Sequence, residues 1–332
     1  MTESFSLLGS DVQARRPSTQ VSLSRVGVTG VEKIIRIRVN GLEQLFYAEL
    51  ECFVDLGPEQ KGAHMSRFEE VVNEAIDDVI LREAFKAETL AAHIAERVRD
   101  RQDGRRAEVT IAARYPETKP APVSGSLTQE IYTLFGSAVA SAQGMRRLVG
   151  VQAQGMTACP CAQEMVMESS QERLRDAGFD EEEIERVFEA VPVATHNQRG
   201  IGTLYIGCPE GCIEALEAES LLRIVESAMS SEIYELMKRN DELEVVEKAH
   251  RRPRFVEDCV REMIRMATER FAGLADDAFV AARQENLETI HKHNVVAERY
   301  GLLSELLREI ETGEPTGGHV TMREWLEAAP AP

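Results

Sequence analysis

The stretch IIRIRVNGLEQLFYAELECFVD, residues 34–55, decides the fold. On both sides of Asn40-Gly41, apolar side chains alternate with charged ones, as Ile35 and Ile37 do with the arginines between and after them. Asn-Gly between two runs of period two is typical of a tight β-turn. The segment therefore predicts a β-hairpin.

The residues after the hairpin change from period two to a helical period. Apolar side chains recur at helical spacing over 68–80, with Ser66 as a candidate cap and Glu69 three residues later. A second helical stretch covers 89–101, and 107–115 alternates again as a strand. The order of elements in the first part of the chain is thus β-β-α-α-β.

The second part of the chain repeats this order. Residues 116–126 contain three prolines and one glycine, which predicts a loop or linker. Glu164 to Ala190 predicts a helical hairpin inserted between two strands, with Asp180 as a candidate cap. The remaining predicted elements are strands at 129–139, 148–157, 202–207 and 278–284 and helices at 216–239 and 254–271.

These patterns predict an α+β chain of two β-β-α-α-β modules, with antiparallel sheets and helices on one face. The first module covers 1–125 and includes an N-terminal arm and the linker. The second covers 126–305 and contains the helical insertion at 164–190. Residues 306–332, which become rich in Gly and Pro at 312–318, are expected to form a peripheral C-terminal tail.

Size and charge exclude several classes of protein. The chain has 332 residues with 43 % hydrophobic side chains, enough to fill a core. Its net charge of −19 argues against binding to nucleic acid or to anionic membranes, which needs many Lys and Arg. No run of about 18 apolar residues and no secretory signal are present, so we expect a cytoplasmic protein without a membrane span.

Six cysteines in a long chain of this kind do not suggest a disulfide framework, and reduced thiols are free to bind metal. Two of them lie in ACPCAQ, residues 158–163, where a thiolate would suit zinc or ferrous iron. Small cysteines that fill a core are the plainer interpretation of this segment.

Three further segments are unusually polar. KGAHMSRF (61–68) places three basic side chains at a strand-to-helix junction, which suits an anion. ATHNQRGIG (194–202) lies just before a strand, and TIHKHN (289–294) has two histidines at i, i+2 that point the same way in an extended backbone. Each segment also has a plainer interpretation: a capped turn at 61–68, a hydrogen-bonded turn at 194–202, and surface histidines at 289–294.

Together these segments resemble the GTP cyclohydrolases of the type IB family, which includes an archaeal methanopterin-pathway branch. The resemblance covers roughly residues 11–300 and implies the tunneling fold, in which such modules assemble into barrels. It also implies a homotetramer with active sites at the subunit interfaces. The motifs that carry it, in chain order, are DVQARRP, SRVGVTG, KGAHMSRF, ACPCAQ, ATHNQRGIG, SSEIYELMKR, PRFVEDCVREM and ETIHKH.

The resemblance also implies a metal site. Cys159 and His196 match metal ligands of the family, as do Glu232 and His291. Thiolate, imidazole and carboxylate together admit one divalent ion, Fe(II), Mn(II) or Zn(II). Cys161 is a neighbouring thiol that need not be a ligand.

Substrate contacts follow from the same match. Glu247 takes the place of a carboxylate that anchors guanine, and a carboxylate can accept from the N1–H and 2-amino donors of that base. His293 and His64 are candidates for proton transfer or substrate contact. The phosphates of GTP need local basic side chains, for which the candidates are Lys61, Arg67, Arg199, Lys238, Arg239 and Lys248.

The implied reaction uses water to open the imidazole ring of GTP at C8, releases formate and gives a 7,8-dihydroneopterin, the first step of folate or methanopterin-type pterin synthesis. Cys159 and His196 lie 37 positions apart, a long spacing that is similar to the archaeal branch. Members of that branch make a 2′,3′-cyclic phosphate and the bacterial enzymes a triphosphate, so the product stays open.

Two other functions remain possible at this point. The first is another tunneling-fold enzyme of pterin or deazapurine metabolism, although CPC with HNQR and the pair Glu232 and Glu247 argue against it. The second is a non-catalytic oligomer stabilised by a structural metal, whose site would be closed by four protein ligands.

Overall fold

The computed structural model describes residues 12–39, 42–79, 86–209, 216–316 and 318–328. Within these ranges the chain forms one antiparallel sheet of nine strands with helices packed against it. The strands are β1 (Leu23–Val39), β2 (Leu42–Leu56), β3 (Arg106–Pro120), β4 (Leu127–Ser141), β5 (Gly144–Ala158), β6 (Asn197–Pro209), β7 (Ser231–Glu232), β8 (Phe279–Leu287) and β9 (Val295–Leu302).

The strands are hydrogen-bonded in the order β1-β2-β3-β4-β5-β6-β8-β9, and the short β7 pairs with β5. The described helices are α1 (Met65–Val79), α2 (Ala87–Gln102), α3 (Pro160–Asp176), α4 (Glu181–Ala190), α5 (Ala218–Ala228), α6 (Arg239–Arg251), α7 (Val256–Arg270), α8 (Leu303–Thr312) and α9 (Met322–Glu327).

The first part of the chain folds in the predicted order. β1 and β2 form the antiparallel hairpin, although its turn at Asn40 and Gly41 lies outside the described residues. Helices α1 and α2 follow, then β3. Because α1 already begins at Met65, Ser66 lies inside the helix, so its predicted role as the cap is wrong. The predicted end of this helix at Ile80 is also outside the described part.

The first five residues of the predicted linker at 116–126 belong to strand β3, and 121–126 form the turn to β4. β3 continues to Pro120 and pairs with β4 along its whole length, from Arg106 opposite Ser141 to Pro120 opposite Leu127. β2 pairs with β3 only as far as Ala113, so the last residues of β3 have one neighbouring strand. Prolines are tolerated on such an edge, because their missing N–H faces no partner strand.

The helix predicted over 216–239 is interrupted. Helix α5 ends at Ala228, and the next residues pair with β5 as β7, with Ser231 opposite Met156. The hydroxyl of Ser230 accepts a hydrogen bond from the backbone N–H of Ala158 at 3.1 Å. These contacts with β5 replace helical hydrogen bonds, and α6 begins only at Arg239.

Several other predictions for the second part are confirmed. The helical insertion is present as α3 and α4, and Asp180 caps α4 with a capping box. Helix α7 and strand β8 match the predictions at 254–271 and 278–284. Strand β9 was not predicted, and helix α8 follows it directly. The proposed division into two modules at residue 125 stays a prediction.

Two separate hydrophobic clusters lie between the sheet and its helices. The first contains Leu50 of β2, Val71 of α1 and Ile94 of α2. The second contains side chains of α5 and α7 against β5, β6 and β8, such as Val225 and Met263. Among the described helices, none is both long and apolar enough to span a bilayer.

The C-terminal segment, expected at the periphery, packs onto the other face of the sheet. Trp325 of α9 is 2 % exposed and contacts Leu148 and Phe279, whose neighbours in β5 and β8 belong to the second hydrophobic cluster. Side chains alternate between the faces of a strand, so Trp325 lies on the face opposite α5 and α7. Its indole N–H donates to the carbonyl of Asp277 at 2.8 Å.

The cysteines differ in chemical state. Cys52, Cys159, Cys161 and Cys259 are free thiols, whereas Cys208 is disulfide-bonded, so the expectation of reduced thiols fails at Cys208. Burial raises the pKa of the Cys52 and Cys259 thiols to about 12, so these two side chains belong to the core.

Asp241, at the start of α6, ties that helix to the turn between β3 and β4. One carboxylate oxygen accepts from the backbone N–H groups of Val123 and Ser124, both at 2.8 Å. The other accepts from the N–H of Lys238, also at 2.8 Å. These bonds, that from Ser124 foremost, hold the pKa of Asp241 below its usual range.

Trp325→Ala should lower the free energy of unfolding by about 3–5 kcal/mol, because it leaves a cavity in the core. Chemical denaturation measures the change. Trp325→Phe keeps an aromatic ring against Phe279 but loses the indole N–H bond, so its free energy of unfolding should lie between those of wild type and Trp325→Ala. A Trp325→Ala protein within about 0.5 kcal/mol of wild type would show that α9 does not contribute to stability.

Asp241→Asn should destabilise the protein at neutral pH, because an amide has one acceptor oxygen and cannot accept both from the turn and from the N–H of Lys238. The folded-state pKa of Asp241 is lowered, so its contribution is complete above the unfolded value of about 4 and is lost as the pH falls below it. In denaturation series, the stability difference between the two proteins should therefore shrink as the pH falls below about 4. A difference independent of pH would contradict this account.

Candidate functional site

A cavity of about 250 Å³ lies where β5 and β8 end and where β6 and α7 begin. Its lining includes Cys159, His196, His291 and His293, which are four of the predicted site residues. They come from segments up to 134 positions apart, and the antiparallel pairing of β5, β6 and β8 brings these segments together.

Cys159 is held by backbone bonds at the point where β5 becomes α3. Its N–H donates to the carbonyl of His196 at 3.2 Å, and its carbonyl accepts from the hydroxyl of Thr195 at 2.9 Å. Its sulfur accepts from the N–H of Ala162 at 3.5 Å, so the thiol is the cap of α3. Pro160 follows in the first turn, where a missing N–H costs nothing.

The ring of His196 is oriented by its neighbours. Its Nδ1 lies 3.2 Å from the amide oxygen of Gln198 and 4.0 Å from a carboxylate oxygen of Glu288. Both atoms are acceptors, so the tautomer that fits them carries its proton on Nδ1 and leaves the Nε2 lone pair available. In known metal sites, the ring nitrogen that does not bind the metal commonly makes such a contact.

Glu288 is a residue that the sequence reasoning missed. Its side chain is only 6 % exposed, and it lines the same cavity. The sequence did offer one indication of its role, because Glu288 begins the ETIH segment, three residues before His291. A nearly buried carboxylate beside a histidine is suited to orienting the ring and to moving a proton.

His291 and His293 lie together at the mouth of the cavity, both exposed to solvent. Their rings are stacked, with centroids 5.2 Å apart and planes 17° apart. The predicted shared direction of these two side chains is therefore confirmed, although they lie in a bend between β8 and β9.

Glu232 is not among the side chains that line this cavity. It lies in β7 opposite Gly155, and its carboxylate accepts from the ammonium of Lys248 at 2.5 Å. Across the described ranges, no three His, Cys, Asp or Glu side chains are close enough to hold a metal together. The four-residue ligand set therefore stays a prediction. Glu247 is half-buried in the third turn of α6, next to Lys248.

The basic residues of KGAHMSRF lie in the first part of the chain, away from this cavity. The backbone N–H groups of Lys61 and Gly62 donate to the carbonyl of Gln13, at 3.0 and 3.2 Å, which docks the N-terminal arm. The guanidinium of Arg67 donates to the carbonyl of Arg101, so it stabilises the end of α2. His64 is fixed through its backbone by the side chain of Gln102.

Arg199 is exposed in β6 opposite Leu287, whereas Arg254 lines the cavity. The sequence reasoning did not select Arg254, although it lies in the PRF motif. Its backbone N–H donates to the carbonyl of Ala158 at 2.9 Å and its guanidinium to that of Ala228 at 2.6 Å. Burial, then the neighbouring Arg252, lowers its pKa, but the guanidinium keeps its positive charge and lies 3.8 Å from a carboxylate oxygen of Glu262.

Two buried amides lie against Gly200 of the NQRGIG segment. The amide of Gln284 donates to that of Asn286 at 3.0 Å, and Asn286 lines the cavity. A Cβ atom on Gly200 would lie 2.3 Å from the amide nitrogen of Gln284. Only glycine lets this strand pass so close to the two amides.

The chain is similar over most of its length to proteins of one known family. The model of the family described as Type I GTP cyclohydrolase folE2 matches residues 10–297. The chain is 40 % identical over 314 residues to the GTP cyclohydrolase MptA of Methanococcus maripaludis strain C5, covering 91 % of this chain and 98 % of that protein. It is 38 % identical over 306 residues to the GTP cyclohydrolase MptA of Methanocaldococcus jannaschii, covering 90 % of this chain and 97 % of that protein.

Among solved structures, a hyper-thermostable uricase mutant has a similar fold. Its TM-score is 0.50 at 8 % sequence identity, covering 91 % of this chain and 96 % of that one. At this identity the likeness shows the fold alone. The family model and the curated relatives both span nearly the whole chain, and the chain therefore belongs to the family of type I GTP cyclohydrolases.

Proposed function

We propose that the protein is a metal-dependent GTP cyclohydrolase that opens the guanine imidazole ring at C8 and releases formate. The observation that supports this most is the meeting of Cys159, His196, His291 and His293 in one cavity. These residues come from the motifs that the chain shares with its family, and the relatives are named for this activity.

By chemical type, the donors at the cavity suit a divalent metal, which would have to draw them closer together. Cys159 is a free thiol, and Nδ1 of His196 faces an acceptor, which leaves Nε2 for a metal, while His291 lines the same cavity. Thiolate and imidazole suit Zn(II) and Fe(II), and a carboxylate extends the set to Mn(II). Such an ion supplies Lewis-acid activation of water near neutral pH. Glu232 is the proposed fourth ligand, and a cation there would compete with Lys248 for its carboxylate.

The chain's own groups would then bind and protonate the substrate. Glu247 would accept from the N1–H and 2-amino groups of guanine, and Lys248 next to it would be available for phosphate if Glu232 held the metal. His293, which lines the cavity, would transfer a proton, and Gln198, with the carboxylate of Glu288 further away, would orient Nδ1 of His196.

The remaining proposed contacts favour a site shared between subunits. Lys61, His64 and Arg67 do not line the cavity of their own chain. In a homotetramer of tunneling-fold modules, with two modules per chain, these residues would reach the cavity of a neighbouring subunit and bind phosphate or move a proton. Arg199, exposed near the cavity end of β6, is the remaining phosphate candidate.

We propose a 7,8-dihydroneopterin product, as the triphosphate or the 2′,3′-cyclic phosphate, at the start of folate or methanopterin-type pterin synthesis. The names of the relatives favour the second branch. The test is anaerobic incubation of protein reloaded with Fe(II), Mn(II) or Zn(II) with GTP, followed by mass spectrometry of the pterin and a formate assay. Intact GTP with all three metals, in folded and metal-loaded protein, would refute the proposal.

Glu247→Ala should lower kcat/KM for GTP by about 10²-fold or more, because hydrogen bonds to a charged group contribute about 1.5–3 kcal/mol each. Metal content and assembly should not change. Glu244→Ala, on the exposed side of the same helix, is the matched control and should keep wild-type turnover. Normal turnover by Glu247→Ala would show that this carboxylate does not hold guanine.

A further inference from the structure

We propose that Gln163 is a positioning residue that fixes the cysteine and histidine side of the cavity to helix α6. The inference rests on the proposed function, because α6 carries Glu247. The side-chain amide of Gln163 donates to the carbonyl of Val193 at 2.7 Å and to the carbonyl of His250 at 2.6 Å. One nitrogen thus joins two segments that are distant in sequence.

Both acceptors belong to segments that carry proposed site residues. Val193 is in the segment that leads to His196, three positions later. His250 is in the last turn of α6, three positions after Glu247, where helix carbonyls have no partner within the helix. The amide therefore gives a partner to a carbonyl at the end of α6 and fixes that end to the segment that leads to His196.

Gln163 is itself fixed to Cys159. Its backbone N–H donates to the carbonyl of Cys159 at 3.2 Å, so its side chain starts from the first turn of α3, immediately after the thiol. The thiol segment, the histidine segment and α6 are in this way connected through one residue.

A second set of bonds closes the same connection. The Nδ1 atom of the His250 ring lies 2.8 Å from the carbonyl of Val246, and its Nε2 atom lies 3.4 Å from the carbonyl of Thr195. The Thr195 hydroxyl donates to the carbonyl of Cys159. At the other end of α6, Asp241 binds the turn between β3 and β4, so the helix is fixed at both ends.

The chemistry of glutamine explains why this residue is suited to the role. Its neutral amide nitrogen has two N–H donors, and both are used on carbonyl oxygens here. An ionised glutamate of the same shape has no donor, and it would face two carbonyl oxygens. In the proposed reaction, the base must be held at one end while C8 meets the metal, and a misplacement of about 1 Å can cost about 10²-fold in rate.

The test compares Gln163→Glu with wild type. At neutral pH we expect kcat to fall by about 10²-fold, with metal content unchanged. Hydrogen exchange should become faster in residues 191–196 and in the last turn of α6. The loss should appear in kcat more than in the KM for GTP, because the variant keeps every group proposed to contact GTP.

Gln171→Glu makes the same chemical change two turns further along α3 and should leave kcat and hydrogen exchange unchanged. Wild-type kcat and exchange in Gln163→Glu would overturn the proposal. If the loss of activity were fully explained by a lower metal content, the proposal would also be overturned, because Gln163 would then support metal binding and not the position of α6. If the wild-type protein does not turn over GTP, the proposed function fails, whereas hydrogen exchange still decides whether Gln163 holds α6.

Discussion

The backbone hydrogen bond from Cys159 to the carbonyl of His196 is the constraint on which the site depends. It closes the pairing of β5 with β6, one residue beyond the last pair, Ala158 opposite Asn197. The α3–α4 insertion therefore leaves the sheet at Cys159 and returns to it at His196, two residues that are hydrogen-bonded neighbours in space. Loop-closure entropy grows slowly with length, so such an insertion fits without disturbing the strands that place the thiol and the imidazole.

Sequence patterns were sufficient where local chemistry and tertiary packing agree. The hairpin around Asn40-Gly41 and helix α2 have unambiguous periods, and the structure has both. The thiol, His196 and the two histidines after β8 were found from residue type and motif, and they meet in one cavity. The apolar spacing of residues 229–238 wrongly predicted helix, because spacing does not reveal that part of this segment pairs with β5.

Side chains whose role depends on a distant partner could not be predicted. Glu288 and Arg254 are ordinary charged residues until the fold places them against His196 and Ala228. The amide of Gln163 acts on two carbonyls that only the folded chain brings together. Proline in β3 is likewise explained by the absence of a second neighbouring strand there, which no local pattern shows.

The central claim is that the cavity at Cys159, His196 and His291 holds the metal of a GTP cyclohydrolase. X-ray absorption spectroscopy of the zinc-loaded protein tests it most directly, because sulfur and nitrogen or oxygen ligands scatter differently. The account predicts one sulfur at about 2.3 Å together with nitrogen or oxygen ligands at about 2.0–2.2 Å. A shell of nitrogen and oxygen alone, or of several sulfurs, would contradict it.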